Sequence, residues 1–135
     1  MSVPFVRKVG AALLLPLLVF YIWFTFRSDG ALMTVPGVPK IIWTYFDHHT
    51  NQRNAVGFLV LGSLVSMTVF RACGRWRVIA LAACVVAPIA KDCAQIGLAT
   101  RHFNLGATLL GVFGALIGFY TTDIIINKAL TRSSV

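Results

Sequence analysis

Apolar residues fall in four runs separated by short polar segments. The first covers residues 9–26 and follows Arg7 and Lys8. As a helix it rises about 27 Å, close to the hydrocarbon thickness of a bilayer. No small-x-small cleavage motif follows it, so it reads as a retained helix rather than a signal peptide. The second run, 54–70, contains Gly57, Gly62, Ser63 and Ser66. The third, 78–90, is too short to span and must continue through Lys91, Asp92 and Gln95 to about residue 99. Those polar groups then lie at or just below the membrane surface. The fourth, 105–126, carries Gly106, Gly111, Gly114 and Gly118. Gly114 and Gly118 form a GxxxG pair. Ala107, Gly111 and Ala115 form a second small-residue row, and both rows favour close helix packing. Pro16 and Pro88 are expected to bend their helices.

The connections support the same division. Gly30, Pro36, Gly37 and Pro39 break any long helix between the first two runs. Within this connection residues 40–49 (KIIWTYFDHH) place Trp43 and Tyr45 where a short interfacial helix would sit at headgroup level. The pattern predicts an all-α fold. It is a four-helix transmembrane bundle, with this short interfacial helix between helices 1 and 2. The chain makes one domain, 1–135, with spans at about 9–26, 54–70, 78–99 and 105–126.

Composition agrees with the pattern. Of 135 residues, 58% are hydrophobic and 12% charged, and mean hydropathy is +0.81. One soluble core of this size cannot hide that much apolar surface. Charge then sets orientation. Twelve Lys and Arg oppose four acidic residues, all Asp. With the amino terminus inside, Arg7, Lys8, Arg71, Arg75, Arg77, Lys128 and Arg132 are cytoplasmic. Arg27, Lys40, Arg53, Lys91 and Arg101 are outside. The arginines of 71–77 give the strongest local bias. Both termini are therefore expected in the cytoplasm. The cations flank apolar runs without a stacking or groove-reading motif, so they imply membrane lipids and not nucleic acid.

Little in the chain suggests catalysis, a metal or a cofactor. There is no Glu and no paired carboxylate, and no Ser-His-Asp ordering is apparent. His48 and His49 are adjacent and point about 100° apart on a helix, so they make no ready ligand pair. Cys73, Cys84 and Cys93 lack a CxxC spacing and read as small apolar fillers. The expectation is a non-enzymatic protein with no catalytic, cofactor or metal residues.

The candidate polar site is Lys91, Asp92, Gln95 and Arg101. Lys91, Asp92 and Gln95 share a helix face. Two readings stay open. The four residues line an outward pocket for a lipid headgroup or envelope precursor, since Lys and Arg pair with phosphate. Alternatively they are interfacial residues that snorkel or pair with one another.

Asp92, Gln95 three residues later, Arg101 and the Gly-rich run LGATLLGVFGALIG resemble the VanZ-like family of small bacterial membrane proteins. Phe58, Leu61 and Gly62 match the family's second helix. The resemblance covers about residues 50–125. It departs at Thr50, Asn51 and Asn54, where the family has Asp, Lys and His, and at Ala107 and Gly111, where it has Asp and Asn. It implies the bacterial cytoplasmic (inner) membrane and the cell-envelope setting associated with glycopeptide resistance. The function implied is binding of a lipid or lipid-linked ligand. The alternative is an accessory subunit that packs on a larger membrane complex, or on a second copy, through its small-residue faces at Gly111, Gly114 and Gly118.

Overall fold

A computed structural model describes residues 2–26, 37, 39–41, 44, 45, 49–96 and 104–132, with the side chains of 24–26, 50, 95, 96 and 132 outside it. Among the described residues the fold is all-helical, without strands. The helices are α1 (Val3–Phe26), α2 (Thr50–Thr68), α3 (Gly74–Ile96) and α4 (Leu105–Arg132). Each starts before its apolar run, ends after it, or both. Charged and polar residues such as Arg7, Lys8, Arg53 and Lys128 continue the backbone hydrogen bonding beyond the apolar stretch. Pro16 and Pro88 lie inside uninterrupted helices. Of the expected interfacial helix, Lys40, Ile41, Thr44 and Tyr45 are helical and the other residues of 42–48 lie outside the described set.

α1 and α4 are long and apolar enough to cross a membrane, over Val3–Trp23 and Leu105–Thr131. Their apolar side chains point outward: Leu15 and Ile125 are 68% and 65% exposed. α2 and α3 carry more polar and charged residues. α3 carries Arg75, Arg77, Lys91 and Asp92, and α2 begins with the polar residues Thr50 to Asn54.

The dominant contact is α2 on α4. The two run parallel. Asn51 meets Asn104 at one end, and further along Ser63 Oγ donates to the Gly118 carbonyl at 3.3 Å. Glycine permits the approach. A Cβ on Gly118 would collide with the Leu59 carbonyl, one on Gly114 with the Ala55 carbonyl, and one on Gly62 with the Ala115 carbonyl. Both expected small-residue rows are thus filled within the chain. The Gly114–Gly118 row meets the α2 backbone. Gly111 faces Phe58 of α2 and Pro88 of α3, at 2.8 and 3.1 Å from its virtual Cβ.

α1 packs on α2, and α3 mainly on α4. The core joins all four: Phe58 and Leu61 of α2, Ala80 and Cys84 of α3, and Ala115 and Phe119 of α4, with Leu14, Leu17 and Tyr21 of α1 against them. Cys84 is buried there, while Cys73 and Cys93 are exposed, and all three are free thiols. A second cluster, Val6, Phe70 and Ile126, lies at the opposite end. It brings the start of α1, the α2–α3 turn and the last turns of α4 together. At that end Arg77 Nη2 donates to Asp123 Oδ2 at 2.9 Å, tying α3 to α4. The turn is closed by Ala72 N–H donating to the Val69 carbonyl. Arg71 adopts φ 53° there, the left-handed region where glycine is usual.

Candidate functional site

The opposite end holds the polar layer. Its centre is Asp92, 5% exposed despite its charge. A buried carboxylate needs partners, because desolvation is costly. Lys91 supplies an ammonium and Thr108 of α4 donates its hydroxyl to Asp92 Oδ2. The two charged side chains are 10% and 6% exposed, so the pair is drawn inside rather than lying on the surface. The Tyr21 hydroxyl of α1 and Arg53 of α2 lie within electrostatic reach of each other, and Tyr21 also of Asp92. Each of the four helices therefore contributes at least one polar side chain.

Local sequence explains how α4 presents Thr108. Asn104 is an N-cap: its Oδ1 accepts the Ala107 N–H at 3.1 Å. The Asn104 carbonyl accepts both the Thr108 N–H at 3.0 Å and the Thr108 hydroxyl at 3.1 Å. Asn104 Nδ2 donates to Asn51 Oδ1 at 3.3 Å, which fixes the start of α4 against α2. Ala107 and Gly106 keep the entry narrow enough for this approach. On α1, Tyr21 packs edge-on against Phe58, with centroids 5.2 Å apart, over the open surface of Gly57.

Two of the four candidate residues, Lys91 and Asp92, meet in this layer. The Gln95 side chain and all of Arg101 lie outside the described residues. Sequence reasoning passed over Tyr21, Arg53, Asn104 and Thr108. Asn104 had a visible sign, since Asn immediately before an apolar run is a helix start. Thr108 had a weaker one, a hydroxyl one turn inside a spanning run.

The His-containing segment is used locally. Tyr45 and His49 rings stack with centroids 4.6 Å apart. His49 Nδ1 lies 2.9 Å from the Tyr45 carbonyl, and the Tyr45 hydroxyl donates to Gln52 Oε1 at 2.5 Å. These contacts carry the chain into the first turn of α2.

Chemically, the layer can hold a charge, orient a hydroxyl and bind an anionic group. It offers two cations, a phenol and one carboxylate. No family model, curated protein or solved structure matches the chain.

Proposed function

We propose that this chain is a four-span, VanZ-like protein of the bacterial cytoplasmic membrane. Both termini are cytoplasmic, and it binds a phosphate-bearing lipid or lipid-linked ligand at its outer polar layer without catalysing a reaction. The observation that carries this reading is the Asp92 carboxylate, buried between α3 and α4 against the Lys91 ammonium and the Thr108 hydroxyl. Ionisable groups at membrane depth are expensive and generally mark a binding or transport site. The carboxylate beside Lys91 holds the ammonium in place when no ligand is present.

The packing supports a reading of four spans. α2 runs parallel to the apolar α4, and its 19 residues rise about 28 Å. A helix lying along a spanning helix for that length crosses with it. α3 returns the chain between two parallel helices, so it crosses as well. The lower hydropathy of α2 reflects its cover by α1 and α4, which replaces lipid contact. Asp92 and the Gly-rich helix, the two elements that carry the resemblance, touch through Thr108. The subunit alternative relied on the small-residue rows, and these are occupied by α2. A partner would instead meet the outward apolar face of α1.

Orientation is checked with single cysteines at residues 28 and 74 in a background without the native three. Impermeant maleimide should label position 28 and not 74 in intact cells. Opposite accessibility requires α2 to cross. Labelling of 74 alone would invert the topology, and equal labelling would remove the α2 crossing.

Binding is checked by native mass spectrometry of protein extracted in mild detergent. Wild type should carry a phosphate-bearing lipid, and Gln95→Leu or Arg53→Gln should lose most of it while melting near wild type. An unchanged number of bound lipids in both variants would defeat the outer-site reading. A stoichiometric protein partner in its place would establish the subunit reading.

A further inference from the structure

At the other end of the bundle a groove of about 390 Å³ opens between α1 and α2, lined by Val3, Pro4, Arg7, Lys8, Ala11 and Thr68. Its cations are placed and not merely present. Arg7 Nε donates to the Thr68 carbonyl at 3.2 Å, one of the last carbonyls of α2, which no further helical turn satisfies. That bond holds the guanidinium against α2 and leaves its two terminal nitrogens for another acceptor. Among the described residues neither Arg7 nor Lys8 has an acidic partner. Asp123, at the same end, is taken by Arg77. The groove's other walls are apolar, and it lies where the apolar stretch of α1 begins. Nearby charge is one-sided, with Arg71, Arg75 and Lys128 on the same end.

We propose that this groove binds one anionic phospholipid of the leaflet facing the termini. Arg7 grips the phosphate through its paired terminal nitrogens, and Lys8 adds a point charge. Val3, Pro4 and Ala11 receive the glycerol and the first acyl carbons. The apolar floor and the size of the groove favour a lipid over a free phosphate ion, which would fill only a small part of it. The site depends on the membrane reading but not on the polar layer around Asp92, which lies at the far end.

The test is native mass spectrometry in detergent with phosphatidylglycerol or phosphatidylcholine added at equal concentration. Wild type should retain one phosphatidylglycerol in clear preference. Arg7→Gln with Lys8→Gln should lower that retention by roughly thirtyfold, given the usual worth of two basic groups at an anionic surface. Ala11→Leu fills the floor with both charges intact and should weaken retention too, so the result does not rest on a double charge change. Arg71→Gln with Lys128→Gln should leave it near wild type. Equal retention of both lipids, an unaffected Arg7–Lys8 variant, or an equal loss from the Arg71–Lys128 variant would overturn the site. Displacement by millimolar inorganic phosphate would show a free-anion site and overturn the lipid assignment. Gln95→Leu should leave this lipid bound, which separates failure here from failure of the outer site.

Discussion

Gly118→Leu should break the bundle apart at its centre. The leucine Cβ would enter the Leu59 carbonyl of α2, and its nearest other neighbour is Ser63 Oγ at 3.0 Å. A flexible side chain could rotate away from the intrusion, but a helix carbonyl cannot without losing its own hydrogen bond. The helices must separate, and with them go the packing of Phe58 against Ala115 and the Ser63 bond to Gly118. Overpacking of a tight contact costs about 1–3 kcal/mol, and backbone opposition places this case at the upper end. In detergent the melting temperature should fall by roughly 10 °C. Gly114→Leu should behave alike, since its Cβ meets the Ala55 carbonyl. Gly74→Ala is the control, because nothing lies within 4 Å of its virtual Cβ. A Gly118→Leu protein that melts with wild type would show that α2 and α4 do not touch there.

The glycine rows were readable from sequence, but their partner was not. A GxxxG pair marks a face on which another backbone can lie close. It does not say whether that backbone belongs to the same chain. The answer needed Gly62, whose own close contact with Ala115 makes the approach two-sided. The helices outrun the apolar runs for a related reason. Hydropathy reports where apolar side chains stop, whereas the backbone ladder stops where hydrogen bonding stops. α1 therefore begins at Val3 and carries Arg7 and Lys8 in helical geometry. α4 runs on to Arg132.

The polar layer was half legible. Lys91 and Asp92 stood out because they fall inside a run that must continue through them to span, and their shared helix face followed from spacing. That they bury together against Thr108 did not follow. The meeting joins residues 16 positions apart, through a reversal whose register depends on Asn104 and Asn51. Tyr21 and Arg53 join from helices whose own sequences gave no reason to single them out. The pair of Arg77 with Asp123 was likewise hidden. Both residues fall on the inner side of the expected topology, but only the packing of α3 on α4 brings them within 2.9 Å.

Asp92→Ala should be among the most damaging single changes, and its rescue separates a scaffold from a site. Removing the carboxylate takes the counter-charge from the Lys91 ammonium, 10% exposed, and leaves the Thr108 hydroxyl with the Asn104 carbonyl as acceptor. Breaking one half of a buried pair costs about 3–5 kcal/mol. Asp92→Asn keeps the shape and the bond from Thr108, so it should cost less. Thr108→Val keeps volume and removes one donor to a charged acceptor, worth about 1.5–3 kcal/mol. The informative variant is Lys91→Met with Asp92→Leu. Replacing both charges by apolar groups of similar size is often neutral or stabilising, and the cost of ionisable groups at membrane depth strengthens that expectation. This double variant should melt close to wild type, well above Asp92→Ala. If the layer is scaffolding, it should also retain every lipid that wild type carries. If the layer is the ligand site, stability returns while the phosphate-bearing lipid is lost from the native mass spectrum. A stable double variant with its full complement of lipid would therefore reject the outer-site proposal and leave the Lys91–Asp92 pair as interhelical packing.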